Sequence, residues 1–283
     1  MTSHPWASPP RPEGPAPHAS CLVLVKGAGD IGSAVAHRLF RAGFRCLLVE
    51  APQPGVARRH MSFADALFEG EAVLEGVRAV RVNDPSLLPP LLAAGEVIPI
   101  TTDLAAARAL RPTVMVDARM RKRVRPERQI DEAPLTIGLG PGFRAGEIVH
   151  AAVETNWGPH LGRVLWAGEP EPYTGQPRSI LGYGRERYLY APEAGPFRTS
   201  LAIGQHVVRG QTVAWIGDTP LVAPIDGVIR GLTRDGVWVP AGTKVVDIDP
   251  RGQAEAAYGI GERPRRIAEG VLAAIQAWLQ HAG

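Results

Sequence analysis

The sequence predicts an α/β fold, with a doubly wound, mostly parallel sheet followed by a small all-β domain built on an internal twofold repeat. Three observations carry this. Residues 21–52 run from an apolar stretch through a GxGxxG loop into a helical pattern and a second apolar stretch. Short apolar runs then alternate with helical ones as far as about residue 140. Finally, APEAGPFRTSL from Ala191 is nearly restated as APIDGVIRGL from Ala223.

The chain of 283 residues, with 45% hydrophobic and 21% charged residues, has the composition of a soluble globular protein long enough for two cores. No apolar run approaches the roughly 18 residues of a membrane span. Residues 1–20 hold six of the 27 prolines and lack an apolar h-region. They read as a disordered tail, not a signal peptide, which gives a cytoplasmic location without membrane contact. Cys21 and Cys46, the only cysteines, lack CxxC spacing and read as small core residues of neighbouring strands. The net charge of +3 is carried almost wholly by arginine, since Lys26, Lys122 and Lys244 are the only lysines. Arg119, Arg121, Lys122, Arg123, Arg125 and Arg128 form a local basic cluster. It reads as a solvated loop or the lip of an anion site. Without interleaved aromatics or a nucleic-acid motif, it gives no case for a nucleic-acid partner.

The first domain is expected over 21–180. Leu22–Val25 predicts a buried strand, and Gly27-Ala28-Gly29-Asp30-Ile31-Gly32 matches GxGxxG. Ala34, Val35, Leu39 and Phe40 follow at helical spacing, Gly43 stops the helix, and a second strand ends at Glu50. This is the grammar of a Rossmann-like nucleotide site. Its glycines serve a tight turn, close approach of a phosphate, and helix–strand packing, while the helix start faces the anion. Glu50 stands where an acid accepts hydrogen bonds from an adenosine ribose, and it would favour NAD over NADP. Two readings stay open: a bound dinucleotide, or glycines that serve only the turn. Asp30 places a negative charge where a pyrophosphate would lie.

Val80–Val82, Val97–Ile100, Val114–Val116 and Leu135–Ile137 predict further strands, and Asp103–Leu110 predicts a helix capped near Thr102. EAVLEGVRAVRV reads as a hairpin turning at Glu75-Gly76. Ligands of open α/β sheets bind beyond the carboxyl ends of the strands. That rule gathers Gly27, Gly29, Asp30, Ile31, Gly32, Glu50, Asp117 and Arg119 on one edge, with the second glycine loop, Gly138, Gly140 and Gly142. GLGPG reads equally as an anion nest or a rigid loop. His60, His150 and His160 have no metal-ligand spacing, so no metal is expected.

The second domain is expected over 181–252. Copies 191–216 and 223–248 align without a gap, and nine identities recur: Ala191/Ala223, Pro192/Pro224, Gly195/Gly227, Arg198/Arg230, Gly204/Gly236, Val207/Val239, Gly210/Gly242, Val213/Val245 and Ile216/Ile248. Two copies are too few for a solenoid, so each half is expected to bury its apolar face against the other. The pattern resembles the biotinyl/lipoyl-like barrel-sandwich hybrid. Carriers of that type hold their prosthetic group on a lysine at the joint. Here the joint, Gly217-Asp218-Thr219-Pro220-Leu221-Val222, has none, so neither biotin nor lipoate is expected. Residues 253–283 form a C-terminal segment with an amphipathic helix from about Pro264 to Leu279.

LVKGAGDIGSAVAHRLFRAGF, VDARMRKR, APLTIGLGPGFRAGEIVHAAVETNWGPHLGRV, EPYTGQP, GYGRERYLYAP, APIDGVIRGL and DIDPR together resemble the YqeB-type selenium-dependent molybdenum hydroxylase system proteins. The resemblance runs from about residue 21 to 252, and its first part is similar to the Rossmann domain of XdhC accessory proteins. It implies a maturation or cofactor-delivery role for molybdenum hydroxylases. The stretch after Arg251 departs from the family's polar lead-in.

Three functions follow. The first is an accessory protein that binds a molybdopterin-type cofactor, or another nucleotide- or phosphate-bearing one, and serves a molybdenum hydroxylase subunit. The second is an NAD-dependent oxidoreductase, although no hydride-transfer acid/base pair is evident. The third is a non-enzymatic adaptor that holds a partner enzyme through the β-repeat and the helix. No catalytic residue is assigned, and homo-oligomerisation stays open.

Overall fold

A computed structural model describes residues 18, 20–121 and 124–282. The expected tail, apart from His18 and Ser20, and two members of the basic cluster, Lys122 and Arg123, lie outside the described residues. The first part of the chain runs β1 (Leu22–Lys26), α1 (Asp30–Arg41), β2 (Arg45–Val49), α2 (Ala66–Glu69), β3 (Glu71–Leu74), β4 (Val77–Arg81), α3 (Leu88–Ala94), β5 (Ile98–Thr101), α4 (Leu104–Ala109), β6 (Val114–Asp117), β7 (Leu135–Leu139), β8 (Ala151–Val153) and β9 (Val164–Leu165).

These strands form one nine-stranded sheet in the order β3-β4-β5-β2-β1-β6-β7-β8-β9. Strands buried on both faces need continuous apolar runs, and β1 shows why. Val23 and Val25 enter the core beneath α1, while Leu24 enters a second core with Leu47, Leu88 and Met115. All three are fully buried, each contributing about 1.5–3 kcal/mol. The hairpin between β3 and β4 turns at Glu75 and Gly76, both at positive φ (43° and 79°). Two successive left-handed residues match the twist of the flanking strands. The cap of α4 is Asp103, not Thr102; its carboxylate accepts the Ala106 N–H at 2.9 Å.

The expected doubly wound, mostly parallel Rossmann-like sheet is corrected by this topology. The sheet is mixed, with β3 and β9 antiparallel on its two edges. Nor does the winding hold on one half, because among the described residues the links from β6 to β7 and from β7 to β8 contain no helix. That face is covered instead by α5 (Glu262–Ala282), which packs along α1 and contributes Ile267, Val271 and Ile275 to the main core. The sequence pattern misled because short parallel strands look alike whichever segment covers them.

The all-β part is also corrected. It comprises β10 (Tyr188–Tyr190), β11 (Gly195–Arg198), β12 (His206–Val207), β13 (Thr212–Ile216), β14 (Thr219–Val222), β15 (Gly227–Leu232), β16 (Trp238–Val239) and β17 (Lys244–Asp249). They build two four-stranded antiparallel sheets, β10-β17-β15-β12 and β14-β13-β11-β16, where a barrel-sandwich-hybrid-like domain was expected. The sequence repeat places β11, β12 and β13 opposite β15, β16 and β17. Each copy lends a strand to the other, since β12 pairs with β15 and β16 pairs with β11. Phe197, Val213, Ile229 and Val245 fill the core between the sheets.

Candidate functional site

The first glycine loop is closed by sterics and by Glu50. Gly27 has φ 102° and lies against the β6 exit, where a Cβ would come within 2.9 Å of the Ala118 backbone. A Cβ on Gly32 would stand 1.9 Å from the Gly27 carbonyl oxygen, so α1 can approach β1 only with glycine there. Gly29, the N-cap of α1, differs, because the nearest atom to an added Cβ is Val56 Cγ2 at 4.0 Å. Ile31 turns into the core, and Asp30 opens the helix, its Oδ1 accepting the Ile31 N–H at 3.1 Å. The Glu50 carboxylate accepts the N–H of Ala28 at 2.7 Å and of Ala51 at 2.8 Å. It is thereby a clasp on the loop, in addition to standing where a ribose acceptor was expected.

Beside this loop, at the ends of β1 and β6, lies a buried charged network. Asp117 accepts hydrogen bonds from Arg119 Nε (3.0 Å), the Arg119 backbone N–H (3.1 Å) and Gln129 Nε2 (2.9 Å). Arg119 Nη2 also reaches Glu127 at 2.6 Å. Burial pushes the Asp117 carboxyl up, but the bonds from Arg119 and Gln129 reverse this and leave it below the ordinary value. Burial raises the Glu127 carboxyl, but the hydrogen bonds from Arg119 and Arg121 together outweigh it and bring it to about 2. Lys26, 3% exposed, donates to Gln129 Oε1 and lies 3.7 Å from Glu132. Burial lowers its ammonium, with Asp117 and Glu132 opposing. Lys26 was missed as a site residue; a lone lysine inside the motif VKGAG was the available signal.

At the second glycine loop, Gly138 is a strand residue, not a loop residue. It pairs with Asp117 and Ala152 and presses against the Phe143 ring. Gly140 and Gly142 do form the turn, both at φ 89°. Gly142, Arg125 and Arg144 border an open cleft of about 420 Å³, whose other wall carries Glu169. The parallel register of β1, β2, β6 and β7 brings all the predicted residues to one sheet edge. Among the described residues no cluster of His, Cys, Asp and Glu is disposed to hold a metal ion. The two cysteines are buried on adjacent segments, and burial raises both thiols.

A second charged cluster, which sequence reasoning missed, joins the central sheet to the β-repeat. Asp247, fully buried in β17, is bonded by Arg58 Nη2 and Arg187 Nη1, both at 2.5 Å. Lys244 lies 3.8 Å from the same carboxylate and over the Tyr188 ring. Burial raises the Asp247 carboxyl, but Arg58, Lys244 and Arg187 bring it below the ordinary range. Asp249, also buried, is clasped by Arg251 Nε at 2.9 Å and Nη2 at 2.6 Å. Arg230 and Arg263 complete the group. The signal was present in KVVDIDPR, where two aspartates occupy a strand that is otherwise apolar.

No protein-family model matches the chain. Among solved structures it is similar to a succinylglutamate desuccinylase/aspartoacylase from Rhodobacter sphaeroides (16% identity, TM-score 0.23, 74% of this chain and 59% of that one). It is also similar to an aspartoacylase family protein from Mesorhizobium loti (12%, TM-score 0.26, 81% and 84%) and to TcdA (CsdL) (10%, TM-score 0.27, 91% and 89%). Likenesses at these scores assign no fold. No helix among the described residues is long and apolar enough to cross a membrane. The chain is 41% identical over 275 residues to the Escherichia coli (strain K12) protein named "Uncharacterized protein YqeB", matching 96% of this chain and spanning half the length of that relative. At that identity the chain is similar to YqeB across nearly its whole length.

Proposed function

We propose that this chain binds a phosphate- or nucleotide-bearing cofactor at the carboxyl edge of its central sheet and acts as an accessory protein for molybdenum hydroxylases. The observation that carries the binding half is the contrast within the first glycine loop. Gly27 and Gly32 are locked by backbone contacts, whereas a Cβ on Gly29, at the start of a twelve-residue helix, would meet only Val56 Cγ2 at 4.0 Å. Backbone N–H groups and the positive end of the helix dipole suit that position to an anion. Candidate cofactors are a molybdopterin-type molecule or an NAD-like nucleotide. The molybdenum half rests on the resemblance of the quoted motifs, with a molybdenum hydroxylase subunit as the partner.

Arg119, expected on the ligand edge of the sheet, is already engaged through Nε and Nη2 by Asp117 and Glu127. Its role is therefore to hold the β6 exit against Gly27. The test is calorimetric titration of the whole chain with molybdopterin cytosine dinucleotide and, separately, NAD. Binding to the wild type that is lost in Gly29→Val supports the reading. Absence of binding by either ligand, or equal binding by the variant, overturns it.

A further inference from the structure

We infer that Arg58, Arg230 and Arg263, gathered where the start of α5 meets the β-repeat, form a clamp for a phosphate or pyrophosphate group. The inference rests on the cofactor-binding reading and deepens it, by assigning the anionic end of the molecule to the arginines rather than to the glycine loop alone.

The starting point is an imbalance of partners. A guanidinium taken out of water needs a carboxylate or several acceptors to offset the loss. At this junction the acids are already taken, Asp247 by Arg58 and Arg187, and Asp249 by Arg251. Arg263 is half-buried, and its Nε donates to the Thr155 carbonyl oxygen at 2.7 Å. Among the described residues no carboxylate lies within ion-pair distance of it. Arg230 donates from Nε to the Ala256 carbonyl oxygen at 2.9 Å and approaches Asp249 only at 3.8 Å.

The cluster's electrostatics express the same imbalance. Burial, reinforced by repulsion from Arg58, lowers Arg230 to about 10. Burial also lowers Arg263, with Asp30 opposing and Arg58 adding to the fall. A structural ion-pair network would stabilise its guanidinium ions, as Asp247 does for Arg58. Here Arg58 disfavours the charged forms of Arg230 and Arg263, and the Nε atoms of Arg58 and Arg187 are buried with no hydrogen-bond partner among the described residues.

Arg58 and Arg263 both sense Asp30, the first residue of α1. Arg58 Nη1 donates to Met61 Sδ at 3.7 Å, and a Cβ at Gly261, two residues before Arg263, would stand 3.6 Å from Met61 Cε and 3.8 Å from Arg230 Nη2, so the three arginines share one locality. Asp30 and Tyr188 are the other charged or titratable groups acting on both arginines. Planar guanidinium forks match phosphate oxygens in pairs, and a dianion would supply the charge that the seam lacks.

The experiment is thermal unfolding and calorimetry of the whole chain with inorganic pyrophosphate and with ADP, against sodium chloride at matched ionic strength. Variants are Arg263→Gln, Arg230→Gln and, as the loop control, Gly29→Val. Arg58 is left intact because it pairs with buried Asp247. Expected results are stabilisation of the wild type by pyrophosphate and at least about tenfold weaker binding in each arginine variant. The ligand-free melting temperature of Arg263→Gln should be no lower than that of the wild type. Tighter binding of ADP than pyrophosphate assigns the clamp to a nucleotide's phosphates, and the reverse to a free anion. The clamp is overturned by no effect of either ligand on the wild type, by unchanged binding in both arginine variants, or by collapse of ligand-free Arg263→Gln. Loss in Gly29→Val with wild-type binding in the arginine variants leaves the loop reading standing and removes the clamp alone.

Discussion

The carboxylate of Glu50, at the end of the second strand, grips the backbone N–H of Ala28 at 2.7 Å across the glycine loop. Its other oxygen takes the Ala51 N–H, so one side chain ties β1 to the β2 exit. Glu50→Ala is expected to cost about 1–3 kcal/mol, the range for leaving such donors unpaired. Glu50→Gln keeps one carbonyl acceptor and is expected to cost less. Urea unfolding of the two variants checks the order, and a larger loss for Gln would contradict it.

Gly29 and Gly32 are expected to separate by stability. A methyl group at Gly32 meets the Gly27 carbonyl oxygen at 1.9 Å, and no flexible side chain can move aside. Gly32→Ala should therefore cost about 3 kcal/mol or more. Gly29→Ala meets only Val56 Cγ2 at 4.0 Å and should stay within about 1 kcal/mol. Comparing their unfolding midpoints decides whether loop packing follows these contacts.

Asp247 offers a test of the seam. It is fully buried and bonded to two arginines, so Asp247→Asn is expected to lose about 3–5 kcal/mol by leaving Arg58 and Arg187 uncompensated. The wild-type contribution also sets an acid limit. Because its folded carboxyl lies below the ordinary 3.8, the stabilisation is complete above that value. It is lost as pH falls through the depressed folded value. The variant should show a shallower loss of stability below about pH 4, measured by denaturant unfolding across pH.

A milder pH effect is expected from His37. It is buried on α1, and burial lowers its imidazolium below 6.5, so the unfolded chain binds the proton more readily. Stability should therefore fall as pH drops through about 6.5, well before the aspartates titrate. His37→Gln should flatten that first stage and leave the acid stage in place.

How much of this was legible depends on whether a feature is local. The Gly27–Gly32 loop, the hairpin at Glu75-Gly76 and the short strands are fixed by neighbouring residues, and they were readable from spacing. The repeat was readable too, because Gly195 and Gly227 open equivalent strands, although the exchange of β12 and β16 between copies was not. What covers the β6–β8 half of the sheet is a long-range choice, and nothing in residues 114–153 announces that α5 fills it. The site divides in the same way. Asp117 and Arg119 are two residues apart and were found together. Arg58, Arg230 and Arg263 come from three distant segments and meet only after folding.

Covering one half of the sheet with α5 has a consequence for the order in which the molecule is made. The ribosome delivers β1, α1 and the strands through β8 while Ile267, Val271 and Ile275 are still more than a hundred residues from the peptidyl transferase site in the sense of synthesis yet to come. Domains usually fold as they emerge, starting from the amino-terminal side. In this sheet the face beside α1 lacks the α5 residues that cover it until the β-repeat and then α5 have been synthesised. The earlier-made half waits for the later-made one, and the nascent chain carries an exposed apolar surface for that interval.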